Sequence, residues 1–330
     1  MTGPLVIGHR GASGHRPEHT ALAYRLAWRS GADSVEPDVL STRDGVLVCR
    51  HDLDLAKTTD IADRPEFAHR RRRLEVDGTT EHGWFVHDLD LAEIKTLRAR
   101  ERWPRKRPGS ARYDGQVGVL TLEELLDLRE DESARSGRQV GVHIELKHAA
   151  HFASLGLPLH EPLVEVLRRR RLTSPLSPAT VMAFEAGVLK RLRRELDVDL
   201  VRLLDRDDVV RRGRLQRISA YATAVGLHKD LALPRDQQDR IGAPGKAVDR
   251  AFAAGLDVLV WTLRNENRHL PANLRSQGRG RGRSREHGHA REEVARLLEL
   301  GLDGVLSDFP EVAVDVRRRR VEGARFARTS

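Results

Sequence analysis

Val6-Ile-Gly-His-Arg-Gly-Ala12 decides how the rest of the chain is read, together with Val35-Glu-Pro-Asp-Val39 and Val48-Cys-Arg-His-Asp52. In each, an apolar, β-branched run stops on groups that can bind metal, carry protons or grip phosphate. Short runs of this kind, bounded by glycine and polar residues, read as strands. Working outward, Thr20 to Trp28 repeats its apolar positions at helical spacing and Gly31 ends it. Arg43-Asp-Gly45 then reads as a hairpin turn between the strands Ser34–Val39 and Gly45–Arg50.

From Asp52 to Val117 the pattern weakens into polar, turn-rich sequence. Only Leu89–Leu97 there reads as helix, capped by Asp88 or Asp90. A stretch this long in a compact domain is expected to be functional or to carry structure of its own. Beyond it alternation returns. Gln139–Leu146, Thr180–Phe184, Val198–Leu204, Ile218–Leu227, Asp257–Thr262 and Gly304–Ser307 read as strands. Helical patterns fall at Leu122–Leu128, Glu161–Leu172, Glu185–Leu196, Pro244–Ala254 and Arg291–Leu300.

Strand sites at Leu5, Ser34, Val46, Val140, Val181, Val198, Tyr221, Val258 and Val305, one of them in a hairpin, predict an α/β fold. Eight parallel strands with intervening helices make a TIM (β/α)8 barrel the expected architecture. A single domain is expected over 1–314, with 52–117 as an insertion after the early strands and 315–330 as a frayed basic tail. No G-x-G-x-x-G follows a strand, so nothing points to a dinucleotide.

The 330 residues are 39% hydrophobic, enough for a packed core. The single cysteine, Cys49, excludes an intramolecular disulfide. No run approaches the ~18–20 apolar residues that span a bilayer, and no signal-peptide pattern opens the chain, so a cytoplasmic protein is expected unless a leader has been removed. Lys+Arg number 58 against 49 Asp+Glu, a formal charge of +9, with much of the excess in runs. Such runs suit an anionic partner, although a solvated face is the commoner role.

The distinctive polar residues sit at carboxyl ends of strands, the face that carries TIM-barrel active sites. Glu36 and Asp38 are two apart and share one side of a strand. With Glu145 they offer three oxygen ligands and no thiolate, which suits one hard cation, Ca2+ or Mg2+. His9 and His51 are candidates for an acid–base pair, since imidazole titrates nearest neutrality. Arg10 can grip phosphate oxygens with a planar fork, Lys147 adds a second positive charge, and Trp261 and Phe184 either wall a small carbon skeleton or belong to the core.

The assembled set is His9-Arg-Gly-Ala12, Pro17-Glu-His-Thr20, Glu36-Pro-Asp38, His51-Asp52, Ile144-Glu-Leu-Lys147, Val260-Trp-Thr262 and Gly304-Val-Leu-Ser-Asp-Phe-Pro310. It resembles the glycerophosphodiester phosphodiesterase family from about residue 5 to 314. Pro17–Thr20, the long segment after Asp52 and Arg264-Asn-Glu-Asn267 resemble its longer bacterial branch. The resemblance implies hydrolysis of glycerophosphodiesters, such as glycerophosphocholine and glycerophosphoethanolamine, to sn-glycerol 3-phosphate and an alcohol. It implies a divalent cation on Glu36, Asp38 and Glu145, acid–base roles for His9 and His51, and phosphate contacts from Arg10 and Lys147. Ala183-Phe-Glu185 departs from the family's Ser-Phe-Glu, and Ser307-Asp308 from its usual Thr-Asp.

Two rival readings carry their own tests. A lysophospholipase-D or sphingomyelinase-D-like enzyme of the same fold would act on lipid, but no amphipathic membrane helix is evident. A nucleic-acid-binding protein would use Arg70–Arg73, Arg168–Arg171 and the Arg/Gly-rich 277–285 stretch, but these runs lack interleaved aromatics for base stacking. The expected partner is a small-molecule glycerophosphodiester, with no nucleic acid.

Overall fold

The computed structural model describes residues 3–76, 78–277 and 286–329, and side chains as far as residue 323. Its strands in chain order are β1 (Leu5–His9), β2 (Ser34–Glu36), β3 (Asp38–Ser41), β4 (Leu47–Cys49), β5 (Arg72–Val76) and β6 (Thr79–Gly83). There follow β7 (Gly141–Leu146), β8 (Ala179–Ala183), β9 (Asp199–Leu204), β10 (Ala224–His228), β11 (Asp257–Leu263) and β12 (Gly304–Ser307). β1 pairs with β2, β2 and β3 pair with β7, and β7 to β12 follow in order until β12 returns to β1. Pro37 has no N–H to give the ladder, so β2 and β3 are two pieces of one barrel strand. The result is a closed, eight-stranded parallel barrel. The remaining strand site of the nine, at Val46, is the hairpin strand β4, antiparallel to β3 across a turn that places Gly45 at φ 83°.

Side chains pointing into the barrel make a cluster of their own: Ile7, Met182, Val201, Leu203, Ala224, Leu259 and Leu306, with Phe184 and Trp261 packed on it. This is a filled interior, so ligand space is confined to the mouth. Outside it, the first helix (Ala21–Arg29) shows how the α layer attaches. Thr20 Oγ1 accepts from the Ala23 N–H at 3.2 Å, and Ala23, Tyr24, Ala27 and Trp28 form its buried stripe. Cys49 is buried beside this layer, and burial pushes its thiol up to about 12, which leaves it inert.

Several elements differ from the sequence expectation, among them the following. The helix Arg212–Ser219 has no counterpart in the reading above, because only Leu215 and Ile218 on it are buried apolar residues. Ile218 and Tyr221 consequently precede strand β10 instead of belonging to it. The expected helix Leu89–Leu97 shortens to Leu91–Ile94, with Asp90 as the capping residue: the Asp90 N–H donates to Glu93 Oε2 at 2.9 Å. The tail expected to fray continues the helix Pro310–Thr329. Val312, Val314 and Val316 pack against the core, and Arg317 pairs with Asp33 and donates to the Pro4 carbonyl at 2.9 Å.

Within 52–117 lie several 3-10 turns, the antiparallel ribbon β5–β6 and the short helix Pro108–Ala111. The segment is anchored by Phe67, Phe85, Val86, Leu89, Ile94 and Leu97, all buried. The arginine runs are engaged with carboxylates: Arg70 with Glu93, Arg72 with Asp88, and Arg169 and Arg170 with Glu123. These pairs leave less free charge for a polyanion than the sequence suggests. Of the Arg/Gly-rich stretch, 278–285 lies outside the described residues. Among the described residues no helix is long and apolar enough to cross a membrane.

Because the barrel interior is closely packed, truncating one of its layers leaves a cavity. Leu259→Ala is expected to lower the unfolding free energy by about 2–5 kcal/mol, read from urea unfolding.

Candidate functional site

His9 is the last residue of β1, and Asp308 directly follows β12, the strand beside it. His9 Nδ1 lies 2.7 Å from Asp308 Oδ1. Burial alone would raise the Asp308 carboxyl, but Arg264 (Nε to Oδ2, 2.9 Å) and Arg107 (2.6 Å) hold it well below the usual carboxylate range. An ionised Asp308 can only accept, so His9 donates from Nδ1 and keeps a lone pair on Nε2. Burial and the neighbouring Arg10 push the His9 imidazole down to about 4.

The chain turns sharply after His9. Arg10 adopts φ 58°, and Gly11 φ 84°. A Cβ on Gly11 would come within 2.6 Å of the Ala23 carbonyl carbon, so only glycine lets this loop rest on the first helix. The Arg10 N–H donates to Glu36 Oε2 at 3.0 Å, and its guanidinium reaches Glu18 at 3.0 Å and Asp38 at 3.2 Å.

Glu36 ends β2, Asp38 opens β3, and Glu145 sits opposite Asp38 on β7. All three are buried, with carboxylate atoms within 4.8 Å of one another. Burial raises the Glu36 carboxyl well above its ordinary range, and the nearby charges of Asp38 and Glu145 add to the effect. Burial pushes Glu145 up to about 7 against the pull of Lys147. Asp38 goes the other way: Arg10, His51 and Lys147 overcome its burial and hold it well below the usual range. Glu36 Oε1 is buried without a hydrogen-bond partner. Crowded oxygens, one of them unpaired, fit a divalent cation, which would relieve the repulsion and satisfy the orphan atom.

Lys147 Nζ lies 2.8 Å from Glu145, 3.9 Å from Asp38 and 5.3 Å from the Phe184 ring centroid. His51 follows β4, with Nδ1 3.3 Å from Asp52 Oδ1. Burial, Arg10 and Lys147 push its imidazole down to about 3. Phe184 and Trp261 meet edge to face with centroids 5.4 Å apart, and the Trp261 indole N–H donates to the Gly226 carbonyl at 2.9 Å.

A cavity of about 270 Å³ at the carboxyl ends of the strands is lined by His9, Arg10, His51, Glu145, Lys147, Phe184 and Trp261. Glu36 and Asp38 are buried beside it, against Arg10 and Glu145. All nine residues singled out from the sequence therefore come together. Others were not singled out. Asp205, His228 and Arg264 also line the cavity. His19 is fully buried, with Nε2 2.9 Å from Asp38 and Nδ1 2.8 Å from the Tyr24 hydroxyl. Glu18 receives Arg10 and Arg102. Their signal was present for Glu18 and His19 in the Pro17–Thr20 motif, and for Asp205 and His228 in their position at strand ends. By contrast His143, which bonds Ser34 at 2.7 Å, and His87, packed on Phe85 and Phe152, sit in structural contacts.

The glycerophosphoryl diester phosphodiesterase family model matches residues 9–312. The chain belongs to this family. It is 32% identical to a glycerophosphodiester phosphodiesterase of Arabidopsis thaliana, covering 93% of this chain and 84% of that one. It is 30% identical to the Bacillus subtilis glycerophosphodiester phosphodiesterase, covering 95% and 86%. An Oleispira antarctica phosphodiesterase, solved with the product sn-glycerol-3-phosphate, shares the fold at a TM-score of 0.64 and 23% identity, over 95% of this chain and 96% of that one. The family match opens on His9 itself, and the Glu36, Asp38 and Glu145 cluster of this family member lies within its bounds.

The raised Glu36 and Glu145 carboxyls make a measurable statement about this cluster. Carboxyls held above their ordinary range keep protons near neutral pH, and a cation must displace them to bind. Titrating the cation-free protein with Ca2+ or Mg2+ at pH 7 in weak buffer is expected to release protons. Glu36→Gln with Asp38→Asn is expected to abolish both the release and the accompanying rise in melting temperature.

Proposed function

We propose that this chain hydrolyses glycerophosphodiesters, of the glycerophosphocholine and glycerophosphoethanolamine kind, to sn-glycerol 3-phosphate and the free alcohol. One observation carries the reading. The imidazoles of His9 and His51, the cationic side chains of Arg10 and Lys147, and Glu145 at the edge of a three-carboxylate cluster line a single cavity at the barrel mouth. Family membership and the product bound to the Oleispira enzyme support it.

Glu36, Asp38 and Glu145 would hold one divalent cation, Ca2+ or Mg2+, which when bound polarises a phosphoryl oxygen. Arg10 and Lys147 face the phosphate, and Phe184 with Trp261 provides the apolar wall for the glycerol carbons. His9 takes the proton of the attacking hydroxyl on Nε2, and the Asp308 carboxylate on Nδ1 stabilises the imidazolium that forms. His51 returns a proton to the leaving alcohol. Burial depresses both imidazoles most in the free protein, Arg10 adds to it, and Lys147 depresses His51 as well. An anionic phosphodiester offsets the cationic share of that shift and leaves the share from burial in place.

The test is turnover on a panel of glycerophosphodiesters before and after chelation, with Ca2+ or Mg2+ restored. Activity is expected to vanish with chelator and return with one of the two ions; undiminished turnover in excess chelator would overturn the metal assignment. His9→Gln and His51→Gln are each expected to lower kcat by about 10²–10⁴-fold, the usual worth of positioned acid–base groups. Phosphorus NMR of early products separates two nucleophiles: a transient cyclic phosphate marks attack by the substrate's own glycerol hydroxyl, and its absence marks water.

A further inference from the structure

We propose that the 52–117 insertion acts in catalysis through two arginines five positions apart, Arg107 bracing the carboxylate behind His9 and Arg102 the carboxylate behind His51. The inference rests on the two histidines being the proton carriers.

Arg107 is buried, and every arm of its guanidinium is engaged. It donates to Asp308 Oδ2 at 2.6 Å, to Glu266 Oε1 at 2.6 Å and to the Ser13 carbonyl at 2.9 Å. The other oxygen of Asp308 takes the His9 Nδ1–H, and the Ser13 hydroxyl donates to the His9 carbonyl at 2.8 Å. Side chain and backbone of His9 are thus both held through one insertion residue. Arg102 makes a looser version of the arrangement behind the other histidine, where Nδ1 and the carboxylate are close without a formed hydrogen bond. It pairs with Asp52 Oδ2, whose second oxygen lies 3.3 Å from His51 Nδ1. It also grips both oxygens of Glu18 at 2.6 and 2.9 Å, and Glu18 in turn holds Arg10.

The segment between the arginines is itself fixed. Glu101 accepts from the Trp103 N–H at 2.9 Å and from the Ser110 hydroxyl at 2.5 Å. Neither arginine lines the cavity shared by His9 and His51, so neither meets the substrate there. A planar guanidinium sets two acceptors in one fixed relation, which a solvated ion could not do for Asp308 or Asp52. Arg102 and Arg107 are therefore positioning residues. Each sets the carboxylate that faces an imidazole from behind: Asp308 fixes the tautomer and direction of His9 through a hydrogen bond, and Asp52 stands more loosely beside His51.

The experiment compares Arg107→Met, Arg107→Lys, Arg102→Met and Arg102→Lys with Arg70→Met, which breaks an insertion ion pair to Glu93 remote from the histidines. Two quantities are read: kcat and KM on glycerophosphocholine, and histidine 15N shifts of the protein without substrate. Arg107→Met is expected to lower kcat by about tenfold or more at nearly unchanged KM, the signature of a mis-set base. The His9 signal should pass from a single Nδ1–H form to a mixture, with partial recovery in Arg107→Lys. Arg102→Met should act likewise on His51, more weakly, and Arg70→Met should change neither readout. The proposal is overturned if folded Arg107→Met keeps the His9 tautomer, or loses no more kcat than Arg70→Met. Should Arg107→Met not fold, Arg107→Gln decides, since wild-type kcat and His9 tautomer in that uncharged variant would equally refute it. A wild type inactive on every glycerophosphodiester, yet with tautomers that follow the arginines, would refute the substrate reading alone.

Discussion

Three carboxylates buried within 4.8 Å of one another are the constraint around which this barrel mouth is arranged. Taken out of water and left unbalanced, such charges cost several kcal/mol each. The chain answers from all sides: Arg10 and Lys147 approach Asp38, His19 bonds it, and Lys147 pairs with Glu145. Arg10 and His19 both sit at φ 58°, a conformation that side chains other than glycine seldom adopt. That local strain is the cost of bringing a guanidinium and an imidazole against one carboxylate, and it persists because surrounding contacts over-determine it.

Charge balance also explains why the mouth is layered. Burial depresses the histidines and the cations nearest the carboxylates add to it, so a histidine that is to receive a proton needs an anion of its own. Asp308 supplies one for His9 and Asp52 stands next to His51. Those anions in turn are steadied by arginines from further out. Signs alternate from the carboxylate cluster outward.

Much of this was legible in the sequence, for a simple reason. In a parallel barrel a strand end is both a pattern boundary and a place in the active site, so His9, Glu36, Asp38, Glu145, Lys147 and Trp261 announce themselves. Residues whose place depends on long-range contacts do not. Arg102 and Arg107 lie in sequence with no period, among other arginines that pair at the surface, and nothing local separates them from those neighbours. The helix Arg212–Ser219 was hidden because two buried apolar residues suffice to seat it. The last helix was hidden in a similar way, its valines attached to a run of arginines.

The seam between β1 and β12 joins parts of the chain 299 residues apart at His9 and Asp308. A ribosome presents the first motif 299 residues before its partner emerges. Until β12 slots in beside β1 the imidazole has no carboxylate behind it, and the barrel has no closed wall to exclude water. Chains that lack β12 would thus carry the recognisable motif without the carboxylate that faces it. In this architecture the pairing of His9 with Asp308 reports that the two strands of the seam have met and the barrel is closed.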